Sequence, residues 1–303
     1  MKTLAIILSV FFSILVLGCG GDILDSYTGL SNQEPLIRRL GTEPYATWAP
    51  AGDKILFCQD GNIWVMDNEG SSLEKLIIFP DEDKKASHPD WKIDDRIIFQ
   101  LDYQRNNSSE ICSKRPFSGI TEKIDFGLPE SSSNRYQFPA RSWDGNYIVF
   151  TFNDEMYWSE YPPRGTATLI NIGEKINKDC QWIGMYSWAR DGRIAFVAKT
   201  SEGTNIYIMN DIETKAIIQV TNGNFRDYNP SWSYDGLLIA FDSSRFAVAS
   251  EQNICLMMSD GSNLKKLTDE SGEYPRFNPG SHDLLYSSKM VEGWRINLFH
   301  NAI

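Results

Sequence analysis

The groups in this 303-residue sequence that could do chemistry are three histidines, four internal cysteines and two short runs of carboxylates. His88, His282 and His300 stand far apart, in no H-x-x-x-H or H-E-x-x-H spacing that would turn two imidazoles toward one metal. No G-x-S-x-G turn presents a serine nucleophile. Asp81-Glu82-Asp83 and Asp94-Asp95 supply paired carboxyl groups. Acid–base work needs such a pair to converge on one bond, and both runs fall between apolar segments, where solvated loop charge is the expectation. No disulfide pairing follows from the spacing of Cys58, Cys112, Cys180 and Cys255. The residues therefore point to no catalytic group, no metal and no cofactor.

The aromatic residues are the next candidates, because a recurrent tryptophan can be a platform for stacking sugars. Trp48, Trp91, Trp188 and Trp232 do recur, but always within the same surroundings. Pro230-Ser231-Trp232-Ser233-Tyr234-Asp235-Gly236 runs into Leu238-Ile239-Ala240-Phe241, and the same order of anchor, turn and apolar run appears at Trp48, Trp91, Arg141, Trp188 and Phe277. An anchor at one register in every unit is what packing between neighbouring units requires. The six copies are spaced about 45 residues apart, the period of a four-stranded propeller blade.

Within each copy an inner strand carries the anchor and a turn of Asp-Gly type, or Pro-Ala-Gly in the first copy, reverses the chain. Asp144, Asp191 and Asp235 are turn formers that bond their own backbone. An apolar second strand follows. A third strand alternates in the manner of Asn205-Ile206-Tyr207-Ile208-Met209, and a short outer strand such as Ile217 to Thr221 completes the unit. No stretch has a sustained helical period with caps. Cys112 and Cys255 hold the same third-strand register on opposite sides of a six-unit ring, too far apart to bridge, and are expected as buried free thiols.

The last copy ends on its third strand, whereas Leu36 to Thr42 precedes the first anchor as a lone outer strand. The two are expected to pair, so that the ends close the ring and leave no blade edge exposed. The fold class is all-β, a six-bladed propeller of four-stranded blades over 36–303.

Ahead of it, Met1-Lys2 and the apolar run Leu4 to Leu17 form a secretory leader, too short to favour a spanning helix. Val16-Leu17-Gly18-Cys19 resembles the lipobox of bacterial lipoproteins. That resemblance implies a signal peptide over 1–18, lipid on Cys19, and a flexible tether over 19–35, rich in Gly, Asp, Ser, Asn and Gln. It also implies a cell-envelope location facing the periplasm or exterior. The outer membrane is preferred, because Gly20 rather than Asp follows the cysteine. The formal charge of -11, with no cluster of Lys and Arg, speaks against nucleic acid as a partner.

The repeats resemble the WD40-like (PD40) repeats of the TolB family, whose pattern runs through Pro-x-Trp-Ser-Pro-Asp-Gly, an apolar strand, an Ile-Tyr-x-Met strand and a closing Leu-Thr. The resemblance implies a monomeric, non-catalytic module that binds proteins of the envelope. The competing reading is a lyase or hydrolase acting on polysaccharide or peptide in the central channel, which the same repeats also serve. Another is a purely structural envelope protein. Long connections on a rigid scaffold are where binding residues concentrate. Binding is therefore expected on the face where an outer strand crosses to the next inner strand and where second and third strands join. Arg135, Tyr136, Arg226, Asp227, Tyr228, Tyr274 and Arg276 stand there, and Arg and Tyr are favoured at binding hot spots.

Overall fold

The computed structural model describes residues 33–40, 44–92, 96–116, 118–247, 251–291 and 293–302. The leader, Cys19 and most of the expected tether lie outside the described residues, as do Asp94 and Asp95.

Six four-stranded antiparallel sheets succeed one another along the chain. The inner strands are β2 (Ala46–Trp48), β6 (Lys84–Trp91), β10 (Tyr136–Arg141), β14 (Cys180–Trp188), β18 (Asp227–Trp232) and β22 (Glu273–Phe277). Five blades run in simple order from inner to outer strand. The sixth is completed from the other end of the chain: β1 (Gln33–Leu40) pairs with β24 (Gly293–Phe299), which lies beside β23 (Leu284–Met290), in the order β1-β24-β23-β22. Its register places Glu34 opposite Leu298 and Ile37 opposite Ile296. The expected closure is thus formed, and the strand begins at Gln33, ahead of the boundary expected at residue 35. Gln33, Glu34 and Pro35 have no apolar period to betray a strand, because an edge strand is held by its backbone ladder.

The second strands explain how blades pack. Phe57, Phe99, Phe150, Phe196 and Phe241 are fully buried, and Tyr286 takes their place in the last blade. Phe57, Phe99, Phe150, Phe196 and Phe241 lie in apolar clusters that join neighbouring blades. Burial of such a side chain contributes roughly 1.5–3 kcal/mol. The anchors add polar ties: Trp48 Nε1 donates to the Arg276 carbonyl at 2.9 Å and Trp188 Nε1 to that of Ala140 at 3.1 Å. The turn aspartates behave as expected, with Leu237 N donating to Asp235 Oδ1 at 3.1 Å and Asn146 N to Asp144 Oδ1 at 3.0 Å. Cys58, Cys112, Cys180 and Cys255 are all free, and burial pushes the thiols of Cys112 and Cys255 up to about 12.

Among the described residues one helix interrupts the β pattern. α1 (Ile172–Ile176) crosses from the third blade to the fourth, with Asn171 Oδ1 accepting from Glu174 N at 3.2 Å and Asn177 ending it in a left-handed conformation. A single turn is too short to register as a helical period.

Candidate functional site

Inner strands approach the propeller axis with a shared irregularity. Pairing slips between Ser87 and Asp90, Gln137 and Ala140, Gly184 and Ser187, Tyr228 and Ser231, and Glu273 and Arg276. At these bulges His88, Phe138, Met185, Asn229 and Tyr274 adopt positive φ, between 47° and 56°. Pro89, Pro139, Pro230 and Pro275 follow four of them, at positions where no ladder hydrogen bond is required. A bulge re-aims a side chain, and here the re-aimed residues meet across blades. Tyr274 and Tyr45 make an edge contact at 5.1 Å between centroids, Tyr45 and His88 lie 4.1 Å apart, and His88 and Phe138 4.7 Å apart. Trp182 extends the belt beyond Phe138 at 5.4 Å.

Beneath this belt, Thr47, Asp90, Ala140, Ser187, Ser231 and Arg276 occupy the position just before the anchor in each blade. They line a central cavity of about 80 Å³. Asp90 Oδ2 accepts from Arg141 N at 2.8 Å and its other oxygen meets Lys92 Nζ at 3.2 Å. Ser187 Oγ accepts from Trp232 N and Ser231 Oγ from Phe277 N, at 3.2 and 2.9 Å. The far end is floored by Trp143, with Lys92 Nζ 4.4 Å and the Arg190 guanidinium 4.9 Å from its ring centroid. Arg190 Nη2 donates across to the Pro279 carbonyl at 2.6 Å.

Three titratable groups surround the upper cavity. His88 is half-buried as a residue, yet both ring nitrogens are inaccessible and without a hydrogen-bond partner. Burial first, and the Arg276 charge second, pull its pKa down to about 3, so the ring is neutral. Asp242 is wholly buried, accepting at Oδ1 from Asn229 Nδ2 at 2.9 Å and from Tyr274 N at 3.1 Å. Burial and the nearby Glu273 carboxylate push it up to about 7. Burial lowers the pKa of Arg276, opposed by the charges of Asp242 and Asp90.

The residues expected to bind divide between surface and interior. Arg226 is exposed and Arg135 half-exposed, each in the connection leading to its inner strand. Tyr136 packs its ring against Phe152 at 4.7 Å and Phe150 at 6.0 Å. Tyr228 is half-buried beside Trp182. Asp227 departs from the expectation of a binding surface residue. It is wholly buried, with Arg245 Nη2 at 2.6 Å and Ser243 Oγ at 2.6 Å, and so ties the connection before β18 to the loop after Ser243. Tyr274 belongs to the aromatic belt and Arg276 to the cavity beneath it. A strand alternates its faces and the bulge shifts that alternation, so residues close in sequence reach different depths.

The crossing face is variable rather than uniformly long. Its connections include residues 124–135, 171–179 and 244–252, but second and third strands join tightly at 60–61, 153–154 and 201–202. Next to the buried Asp227–Arg245 pair, Phe225 is 38% and Phe246 46% exposed, and Arg245 lies over the Phe225 ring at 4.4 Å. Reading individual motifs missed Phe225, Phe246 and Trp182. The column just before the anchors, with Asp90 and Arg276 among small residues, carried a visible signal. Among the described residues no group of three His, Cys, Asp or Glu side chains is gathered to hold a metal.

No family model matches the chain. It is 25% identical over 186 residues to an uncharacterized protein of Agrobacterium fabrum, a match that takes in 60% of this chain and 51% of that protein. Among solved structures, a putative TolB from Agrobacterium tumefaciens superposes with a TM-score of 0.62 at 16% identity, over 85% of this chain and 90% of that one. TolB from Acinetobacter baumannii gives 0.58 at 18% identity, over 85% of this chain and 63% of that longer chain. The β-propeller domain of Myceliophteria thermophila Cps50 (Swd1) also gives 0.58, at 8% identity and over 89% of this chain and 98% of that domain. Such similarity speaks for architecture. In fold, the chain is a TolB-like six-bladed β-propeller.

Proposed function

We propose that the protein is a non-catalytic scaffold of the bacterial cell envelope, lipid-anchored through Cys19, that holds another protein on its crossing face. The reading is carried by the surface of the fifth blade. Phe225 and Phe246 are exposed there beside Arg226, on loops fixed from below by the buried Asp227–Arg245 pair. An apolar centre flanked by arginine on a rigid support is the composition of a protein-binding hot spot. Tyr228 and Trp182 continue it toward the aromatic belt, and Arg135 lies on the same face in the third blade. The likeness in fold to TolB supports a protein partner. The lipobox-like Val16-Leu17-Gly18-Cys19 supports the anchor, and Gly20 after it the outer membrane.

The test combines in-membrane crosslinking with substitution. In native membranes the wild-type protein is expected to give a discrete crosslinked adduct that a Phe225→Ala, Arg226→Ala, Phe246→Ala variant loses while melting at nearly the same temperature. Retention of the adduct by that variant, together with its loss on substituting exposed positions near Asp144 and Asp235, would place binding on the opposite face. Separately, Cys19→Ser should release the protein from the membrane fraction, and continued partition into detergent would remove the anchor from the reading.

A further inference from the structure

The interior of the ring holds a cation that feels the charges of Asp242 and Asp90 but makes no ion-pair contact with either. Arg276 is one of three charged side chains lining the central cavity, with Asp90 and Lys92. Asp90 is already matched by Lys92 and by the Arg141 amide. Arg276 makes one hydrogen bond, from Nη1 to the neighbouring Pro275 carbonyl at 2.7 Å, and no carboxylate among the described residues lies within ion-pair distance of it. Its guanidinium has five N–H donors, so most remain unspent. Arg276 is half-buried, and a cation drawn out of water is unfavourable to the extent that it is unpaired.

What surrounds Arg276 favours an anion as the missing partner. Thr47, Ser187 and Ser231 present hydroxyls to the same cavity. Ser187 and Ser231 use their oxygens to accept backbone N–H groups, which leaves each O–H free to donate inward. His88, neutral and without a partner at either nitrogen, also faces the cavity and adds one N–H. The lining is rich in donors, and its one carboxylate is occupied. Lys92 and Arg190 at the Trp143 floor add positive charge at the other end, in a chain whose formal charge is -11.

We propose that the central cavity binds one small anion, held by the Arg276 guanidinium and the hydroxyls of Thr47, Ser187 and Ser231. The size of the cavity sets the class. About 80 Å³ of space accommodates a few water-sized groups, so the ligand is a halide or a compact oxyanion such as acetate or phosphate, not a sugar or a nucleotide. His88 and Phe138 of the aromatic belt border the cavity at one end and Trp143 at the other, and the ion exchanges past one of these borders. The site lies within the protein and is independent of the partner surface on the fifth blade.

The experiment is thermal melting, with calorimetric titration, of the full chain in chloride, acetate or inorganic phosphate at fixed ionic strength, the balance made up with gluconate, which is too large to enter. Binding to the folded state raises the melting temperature with the logarithm of ligand concentration once the site is saturated. The wild-type protein is expected to show that rise for at least one of the three small anions and none for gluconate. Arg276→Met should abolish it, and Thr47→Val, which leaves the charge in place, should weaken the affinity several-fold. Equal responses to gluconate and to the small anions would reduce the effect to general screening and overturn the proposal, as would absence of any response. A full response in Arg276→Met would overturn it too. Should Arg276→Met fail to fold, a Thr47→Val, Ser231→Ala double variant decides: unchanged anion affinity there sinks the site.

Discussion

The indole of Trp48 donates to the backbone carbonyl of Arg276 across the seam where the first and last blades meet, at 2.9 Å. These residues belong to the inner strands of the two blades that meet there, and β1 from the start of the chain completes the last of these sheets. Deleting residues 33–40 leaves β24 as an open edge, whose unpaired backbone groups are a template for another chain. The expected outcome is a lower melting temperature with concentration-dependent association in sedimentation velocity, and a monomer of unchanged stability would contradict it. Trp48→Phe, which keeps most of the packing and loses the hydrogen bond, should cost about 1 kcal/mol in urea unfolding.

Asp227 and Arg245 make the most deeply buried of the ion pairs described, with the carboxylate wholly inaccessible. Removing one partner strands the other charge in the interior, at a cost of about 3–5 kcal/mol. Arg245→Ala should therefore destabilise the protein by that order. It should also make residues 222–226 and 244–247 early sites of limited proteolysis, because Arg245 Nη2 additionally holds the Asn222 carbonyl at 2.5 Å. Cleavage confined to other loops would show that the pair does not organise the crossing face.

Asp242 and His88 give the upper channel two opposed responses to pH. Folding raises the Asp242 pKa from 3.8 to about 7, so the folded state keeps a proton that the unfolded chain gives up. That contribution is complete below about pH 4 and is lost as pH rises through 7. The raised carboxyl of Glu273 acts in the same direction. Folding lowers the His88 pKa from 6.5 to about 3, so its contribution is complete above 6.5 and is lost as pH falls toward 3. Between roughly pH 4 and 6.5 the two offset one another. Asp242→Asn should expose the His88 slope, losing roughly 2–4 kcal/mol more than wild type between pH 7 and 4.5. His88→Phe, filling the ring between Tyr45 and Phe138, should expose the reverse slope. Urea unfolding at pH 4.5, 5.5 and 7 measures both, and parallel profiles for all three proteins would refute the assignment.

The architecture was legible because it repeats. Six anchors, six second strands centred on a buried aromatic, and a surplus strand at one end determine blades and closure without any long-range information. The site was less legible because its determinants are differences among the repeats. Arg276 and Asp90 stand where the other blades have Thr47, Ala140, Ser187 and Ser231, and only the ring closure brings those positions round one cavity. Asp227 and Arg226 are adjacent in sequence, yet Asp227 opens the inner strand and is buried in an ion pair while Arg226 ends the exposed connection before it. Arg245, next to Phe246 in sequence, lies over the Phe225 ring of the preceding connection, and neither connection has a motif.

Trp143 separates the cavity from the opposite face of the propeller, and its position follows from charge as much as from packing. Its Nε1 donates to the Trp188 carbonyl at 2.7 Å, while Lys92 and Arg190 lie over the ring. Each cation–π contact contributes about 0.5–1 kcal/mol where water still reaches it. Trp143→Ala removes both contacts and the hydrogen bond, and should lower stability by roughly 2 kcal/mol. Trp143→Phe keeps a ring under both cations and should recover about half of that loss. The more informative readout is exchange through the floor. With Trp143 replaced by Ala, an anion held at Arg276 should leave and enter faster, seen as a higher dissociation rate in stopped-flow competition, while the aromatic belt at the other end is untouched. An unchanged rate in Trp143→Ala, with acceleration in Phe138→Ala instead, would mean that the ion passes the belt and that Trp143 only fastens the third blade to the fourth.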